Sequence, residues 1–292
     1  MNPMIKWTAL TLALCLPFSA QAHRAWMLPS ATVLSGDDAW VTVDAAISND
    51  LFYFEHFPML IEGFHQPALE GKPNDGKPAM RRPASKLQVL APDGSPLEAK
   101  NGTVGRYRST FDVQLSQKRT YKLAVANNGL FASWKENGKP QRWMGKAEDF
   151  ATQVPAKADD LRVTENSSRI EVFVTAGNPT DTVLKTTGVG LELAPVTHPN
   201  DLFAGEAAEF AFLLDGKPAA DVEVSVVPGG NRYRDELGEM TLKTDAQGKL
   251  SITWPNAGMY WLEAKVSSKD GARKPASERR ASYVATFEVL PQ

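Results

Sequence analysis

The stretch EMTLKTDAQGKLSITWPNAGMYWLEAKV, residues 239–266, contains three short runs in which apolar and polar residues alternate. Two turn signals separate the runs, Asp245-Ala246-Gln247-Gly248 and Pro255-Asn256-Ala257-Gly258. Alternation with a period of two predicts half-buried β-strands, and Asp or Pro followed by Gly predicts tight turns. The stretch therefore predicts a β-meander of the kind found in small Ig-like or transthyretin-like sandwiches.

The rest of the chain after residue 22 shows the same pattern of short alternating runs separated by Gly, Pro and Asn. Two runs, 110–115 and 120–125, are separated by four polar residues and predict a hairpin. One short helix is predicted around residues 146–151. Many short strands with such turns predict an all-β protein built from β-sandwiches.

A domain boundary is predicted near the Ala194-Pro195 dipeptide. Residues 23–193 are expected to form an N-terminal β-sandwich domain. Residues 194–292 are expected to form a C-terminal Ig-like or transthyretin-like β-sandwich domain. This division gives each domain an ordinary size.

Residues 1–22 have the features of a secretory signal peptide. Lys6 supplies the positive charge, residues 7–18 are mainly apolar, and Ala20-Gln21-Ala22 is a small-x-small cleavage signal. We therefore expect a periplasmic protein whose mature chain begins with His23. The apolar run is too short for a membrane span, and no later stretch reaches about 18 apolar residues.

Composition excludes several classes of function. The 292 residues carry a formal net charge of −2, which gives no electrostatic footprint for nucleic acid. The single cysteine, Cys15, lies in the predicted signal, so a Cys-rich zinc site and a Cys nucleophile are both excluded from the mature chain. No Gly-x-Ser-x-Gly or His-Glu-x-x-His motif is present, and we expect a protein that is not an enzyme.

An N-terminal His23 offers two nitrogen donors to one metal ion. Its free α-amine and its imidazole both lose protons easily near neutral pH, and together they can close a small chelate ring. Copper, nickel and zinc all accept imidazole nitrogen, so the donor type does not select the metal. The alternative interpretation is a terminal histidine that is simply solvated.

The segment 51–65 contains two further histidines, His56 and His65, among five aromatic residues. One interpretation is an aromatic-walled pocket or partner surface that presents these imidazoles. The other is a strand that crosses the core, with its His and Glu tips in solvent. The predicted metal ligands are His23, His56 and His65. The amine and imidazole of His23 with one of the other two would give the three-nitrogen set called a histidine brace, which suits Cu(II).

The fourth histidine, His198, lies in the sequence Thr197-His198-Pro199-Asn200-Asp201 at the predicted domain boundary. It is interpreted as a turn residue whose side chain bonds to the backbone. Whether it has any other role stays open.

The chain resembles a bacterial periplasmic family of unknown function, whose members are labelled NikM-like, nickel-uptake family or periplasmic component of cobalt transport. The residues that carry the resemblance lie in segments 23–29, 49–58, 190–205 and 245–260. The resemblance implies a secreted β-sandwich protein associated with transition-metal uptake. It supports His23 at the mature terminus with Trp26 and Pro29 just after it, and it supplies no ligand set.

Three functions are compatible with these observations. The first is a periplasmic protein that binds nickel, cobalt, copper or iron without catalysis and passes the metal to inner-membrane transporter components. The second is a copper oxidase with a histidine brace. The third is a structural or partner-binding module of a membrane transport complex that holds no metal.

Overall fold

The computed structural model describes residues 23–66 and 84–292. The predicted signal peptide therefore lies outside the described residues. Most of the described chain is extended, with one α-helical turn and three short 3-10 turns. The strands are β1 (Arg24–Pro29), β2 (Val33–Leu34), β3 (Trp40–Ser48), β4 (Phe57–Pro58), β5 (Leu87–Leu90), β6 (Pro96–Leu97), β7 (Lys100–Val104), β8 (Ser109–Gln114), β9 (Arg119–Glu136), β10 (Lys139–Gly145), β11 (Asp159–Ala176), β12 (Leu191–Pro195), β13 (Ala207–Leu214), β14 (Lys217–Pro218), β15 (Glu223–Pro228), β16 (Met240–Lys243), β17 (Lys249–Thr253), β18 (Gly258–Ser268) and β19 (Glu278–Val289).

Helical residues are few. The helix α1 is Phe150–Gln153, and the 3-10 turns are Ala147–Asp149, Thr182–Leu184 and Asn231–Tyr233. The first 3-10 turn runs directly into α1, so the helix predicted around residues 146–151 is confirmed. No helix in the described part of the chain is both long enough and apolar enough to cross a membrane.

The strands form three sheets. A ten-stranded sheet has the order β16-β15-β18-β19-β11-β9-β5-β6, with β10 beside β9 and β2 beside β11. A five-stranded sheet has the order β1-β3-β8-β7, with β4 beside β3. A four-stranded sheet contains β12, β13, β14 and β17. The parallel pairing of β11 with β19 joins the two halves of the large sheet.

Two hydrophobic cores lie on opposite faces of the large sheet because side chains alternate along each strand. In β19, Tyr283, Ala285 and Phe287 belong to the second core, whereas Val284 belongs to the first. The five-stranded sheet covers the first core, and the four-stranded sheet covers the second. The all-β sandwich class predicted from the sequence is thereby confirmed.

The predicted meander over residues 239–266 is wrong in its pairing. Its three strands form, but β16 and β18 both pair with β15 in the large sheet, whereas β17 pairs with β13 in the small sheet. The chain crosses the sandwich between these strands. At the second crossing, the Tyr260 hydroxyl accepts from the Asn256 backbone N–H at 3.2 Å and donates to the carbonyl of the same residue at 2.8 Å. This arrangement is a tyrosine corner, a feature of Greek-key sandwiches.

The predicted hairpin over residues 110–125 is wrong for the same reason. Strand β8 pairs with β3 and β7, whereas β9 pairs with β5, β10 and β11 in the large sheet. A second tyrosine corner holds this crossing. The Tyr121 hydroxyl accepts from the Gln117 N–H at 2.7 Å and donates to the Gln117 carbonyl at 2.9 Å. Each sandwich therefore has its own corner.

The predicted boundary between residues 193 and 194 falls within β12. Leu191 and Leu193 of this strand lie in the second core. Conversely, Val227 and Trp261 of the C-terminal half contribute to the first core. The two halves share one sheet and pack against each other through it.

Candidate functional site

The end of strand β3 brings two of the predicted ligands together. On one side, Arg24 of β1 pairs with Ser48, which places His23 just beyond the end of the ladder. On the other side, Phe57 of β4 pairs with Ile47, which places His56 at the same end of the sheet. The two histidines therefore flank the last residues of one strand from opposite neighbours.

The imidazole rings of His23 and His56 are in contact. Their centroids are 4.4 Å apart and their planes are tilted by 50°. Phe57 packs beside both rings, with centroid distances of 5.5 Å to His56 and 6.0 Å to His23. His23 is exposed and His56 is half-buried, so the pair is accessible from solvent.

The loop between β3 and His56 is closed by a carboxylate. One oxygen of Glu55 accepts the backbone N–H groups of Asn49 and Asp50, at 2.8 and 3.0 Å. The amide of Asn49 lies 3.0 Å from Nε2 of His56. Since Glu55 and His56 are neighbours in sequence, these bonds fix the imidazole relative to the end of β3.

Electrostatics keep the Glu55 carboxylate charged. Burial raises its pKa, but the hydrogen bonds from the Asp50 and Asn49 backbone and the electrostatic influence of the neighbouring His56 and Arg232 lower it by more. The pKa of Glu55 therefore lies below its ordinary value. A charged Glu55 is the form that accepts both backbone N–H groups.

Aromatic packing anchors the same loop to the first core. Phe52 contacts the buried Trp26 edge-on at 5.4 Å between centroids, and Phe54 contacts it at 5.7 Å. Phe52 adopts a φ of 60°, a left-handed conformation that turns its ring inward. The segment 51–65 is therefore mostly a loop with the two-residue strand β4, and the interpretation as a core-crossing strand is wrong.

A loop from the C-terminal half, residues 229–239, packs onto this segment. Asn231 donates its side-chain N–H to the Asp50 carboxylate at 3.1 Å. The Arg232 guanidinium lies 3.9 Å from the centre of the Tyr53 ring. The candidate site therefore lies where the two halves of the chain meet.

A polar cleft of about 520 Å³ opens next to His23. Its lining includes carboxylates from β15 and β18, Glu223 and Glu263, and the base Lys265. The Arg24 guanidinium lies over the ring of Trp261 at 5.4 Å from its centre, at the edge of the cleft. The cleft leaves one side of His23 open to solvent.

The structure places His65 away from this pair. Its backbone forms an isolated bridge with Thr103 of β7, whose other neighbour is β8. Because β1 and β7 are the two ends of the order β1-β3-β8-β7, several strand spacings of about 4.8 Å separate His65 from His23. Of the three predicted ligands, the fold brings together only His23 and His56.

His198 lies in a separate, polar environment between the sheets. Its Nε2 lies 3.1 Å from the Thr120 hydroxyl and 3.3 Å from the Thr180 carbonyl oxygen. Its Nδ1 accepts the Asn200 backbone N–H at 3.1 Å. This matches the interpretation of His198 as a turn residue bonded to the backbone.

The donor set present in the folded chain tests how well the site suits a metal. Within residues 23–66 and 84–292, no group of three or more His, Cys, Asp or Glu side chains is arranged to hold a metal ion. The two imidazoles in contact are therefore one donor short of such a group. If the chain is cleaved after Ala22, as the sequence predicts, the α-amine of His23 would supply a third nitrogen, and three nitrogens would suit copper or nickel.

Sequence reasoning assigned no role in the site to Asn49 or Glu55. A charged residue next to a histidine, six residues after an Asn at a strand end, is the local signal that could have indicated a closed loop. It also missed the contribution of residues 229–239, because nothing local in that loop indicates which segment it contacts.

The chain belongs to the family described as Domain of unknown function (DUF4198), whose model matches residues 20–268. The family description assigns no activity, and the finer nickel and cobalt labels are not part of it. No curated protein matches the chain.

The solved structures that resemble the chain include two with low similarity scores. A trypsin-activated α-2-macroglobulin from Escherichia coli is 13% identical with a TM-score of 0.23, over 91% of this chain and 16% of that one. The chain thus spans about a sixth of that protein. The D0-D1 domain of intimin is 12% identical with a TM-score of 0.20, over 89% of this chain and 96% of that one. Scores this low carry no argument about function.

Proposed function

We propose that this protein is a periplasmic transition-metal-binding protein that handles nickel, cobalt, copper or iron for uptake and has no catalytic role. The observation that carries the proposal is the contact between the His23 and His56 rings, 4.4 Å apart. Cleavage after Ala22 would add the α-amine of His23 and complete a three-nitrogen set. The cleft beside His23 supports transfer, because it leaves the site open to an inner-membrane transporter component.

Each residue has its own role in the proposed metal site. His23 supplies an amine and an imidazole, His56 supplies the second imidazole, and the charged Glu55 holds the loop between β3 and His56. A bound metal would join the end of β1 to the loop before β4. Because Glu55 and Asn49 hold the loop that carries His56, little ordering of this loop is needed on binding, and this preorganisation favours affinity.

The direct test begins with protein exported to the periplasm, whose N-terminus is sequenced and whose metal content is measured. The purified protein is then titrated with Ni(II), Co(II) and Cu(II), beside two matched variants, His56→Ala and His65→Ala. We expect His56→Ala to weaken binding by more than about tenfold, since loss of an outer partner of a ligand alone costs about that much. His65→Ala is expected to leave the affinity unchanged. Equal effects of the two variants would refute the assignment.

A second candidate function rests on the cleft of about 520 Å³ beside His23, which has room for a substrate. The same three nitrogens with copper would then form the centre of a histidine-brace oxidase. Oxygen or peroxide consumption by copper-loaded protein with a reductant distinguishes this candidate from a binding protein. If the copper-loaded protein consumes oxygen or peroxide no faster than free copper does, the oxidase function is refuted.

A further inference from the structure

Asn49 lies at the centre of the contacts that hold the two histidines. Its backbone N–H binds Glu55, its backbone carbonyl accepts from Arg24 at 3.4 Å, and its side-chain amide binds Nε2 of His56. It therefore contacts the residues directly after His23 and directly before His56. Asn49 is half-buried, so its amide is held among these groups rather than freely solvated.

The bond between Asn49 and His56 engages one ring nitrogen in either orientation of the amide. With Nδ2 facing the ring, the amide donates to a neutral Nε2. With the amide rotated, its oxygen accepts an N–H from Nε2. In both cases Nε2 is the nitrogen held by the protein, and Nδ1 is left for another partner.

Metal-binding histidines usually donate the N–H of the other ring nitrogen to a fixed acceptor, which sets the tautomer and the ring orientation. In the structure Nδ2 of the Asn49 side chain lies 3.0 Å from Nε2 of His56, and rotation of this amide would place its Oδ1 there as that acceptor. We infer that Asn49 is the positioning residue of the metal site, and that it holds Nε2 of His56 so that His56 binds the metal through Nδ1. This inference rests on the proposed function and adds which ring nitrogen of His56 binds the metal.

Metal binding would change the hydrogen bond between Asn49 and His56. Metal on Nδ1 requires that Nε2 carry the hydrogen, so the amide of Asn49 turns its oxygen toward the ring. Glu55 keeps the backbone of Asn49 in place during this rotation, because its bond is to the backbone N–H. The site can thus change its hydrogen bonding without moving the loop.

The test uses protein that begins with His23, labelled with ¹⁵N, and Zn(II) as a diamagnetic probe. Long-range ¹H–¹⁵N NMR spectra report the state of each ring nitrogen of His56 before and after Zn(II) is added. We expect the resonance of Nδ1 to move to the range of metal-bound nitrogen, while Nε2 takes the range of a protonated nitrogen. Zn(II) on Nε2 would overturn the positioning role and leave the proposed function intact.

Three variants complete the test. Asn49→Leu keeps the backbone N–H that Glu55 binds but removes the amide, and we expect about 10- to 100-fold weaker Zn(II) affinity with loss of the single ring-nitrogen preference. Asn49→Asp retains an acceptor and should restore binding through Nδ1. Asn127→Leu is the control, because the Asn127 amide bonds Ser85 and not a histidine. It should change neither the Zn(II) affinity nor the ring nitrogen of His56 that binds Zn(II).

The outcomes separate the two claims. An Asn49→Leu protein with wild-type affinity and wild-type nitrogen preference overturns the inference. If wild-type protein beginning with His23 shows no Zn(II)-dependent change at His23 or His56, the proposed function fails and this inference fails with it. Backbone spectra of each variant confirm that the fold is retained.

Discussion

The indole N–H of Trp26 donates to the hydroxyl of Ser48 at 2.8 Å, and both residues are fully buried. Ser48 in turn donates to the backbone carbonyl of Asp50 at 2.6 Å. These bonds link β1 to the end of β3 directly beneath the histidine pair. They connect the packing of the first core to the geometry of the site.

Ser48→Ala is expected to lower the free energy of unfolding by about 1–3 kcal/mol, because it leaves the buried indole N–H without an acceptor. Urea unfolding followed by tryptophan fluorescence measures the loss. Ser116→Ala, at an exposed position, is the matched control and should stay within about 0.5 kcal/mol of wild type. Equal stabilities of the two variants would show that the Trp26–Ser48 bond is unimportant.

Substitution within a buried charge network is expected to lower the free energy of unfolding by more than Ser48→Ala does. Arg169 contacts Glu171 at 3.1 Å and Glu192 at 3.4 Å, and all three side chains are at least nine-tenths buried. Tyr283 also donates to Glu171, and burial raises its pKa well above the ordinary value. Arg169→Met leaves two buried carboxylates without their cation, so we expect a loss of about 3–5 kcal/mol in urea unfolding.

The control for the network is Lys118→Met. Lys118 forms an exposed ion pair with Asp37 at 3.1 Å, and such pairs contribute about 0–1 kcal/mol. A comparable loss in both variants would contradict the assignment of stability to the buried network.

The two tyrosine corners give a paired prediction. Tyr121→Phe and Tyr260→Phe each remove a hydroxyl that bonds one backbone residue twice, and each should cost about 1–3 kcal/mol. Tyr233→Phe is the control, since the Tyr233 side chain is 85% exposed. Thermal or urea unfolding measures all three, and unchanged stability of either corner variant would show that its crossing is held by core packing alone.

The pKa of the His198 imidazole predicts how the free energy of unfolding depends on pH. Burial lowers its pKa, and although the bond to Thr180 and the charges of Asp181 and Asp201 raise it, the net pKa lies below the ordinary value of 6.5. The unfolded chain therefore binds a proton at higher pH than the folded chain does. It follows that this contribution to stability is present above pH 6.5 and is lost as the pH falls below that value.

The measurement is urea unfolding of wild type and His198→Asn at pH 7.5 and pH 5.5. We expect wild type to lose more stability between these values than the variant does. Other groups titrate equally in both proteins, so the difference isolates His198. Parallel pH dependence of the two proteins would contradict the prediction.

Strand positions were largely predictable from the sequence, but strand partners were not. The alternation at residues 120–125 and 249–254 matches parts of β9 and β17. The same Asp, Pro and Gly turn residues serve a hairpin and a sheet-to-sheet crossing, so pairing depends on which core each strand contacts. A tyrosine four residues after the backbone residue that its hydroxyl bonds, as at Tyr121 and Tyr260, is the local feature that distinguishes a crossing.

The candidate site was predictable only in part. Chemistry selected His23, but spacing could not decide between His56 and His65, because both lie in the same aromatic segment. The choice follows from the order of strands, which places β4 beside the end of β3 and the bridge of His65 beside β7. The proposed role of Asn49 could be recognised only from its contacts in the structure, since an Asn at a strand end is common in turns.

In the proposed site, the amine and imidazole of His23 act together with His56. The most direct measurement compares Cu(II) affinity of protein that begins with His23 and of the same protein with one alanine added before His23, by competition with a chelator of known affinity. The added residue keeps both imidazoles and displaces only the amine. We expect clearly weaker Cu(II) binding by the extended protein, and equal affinity of the two proteins would show that the amine of His23 is not a ligand.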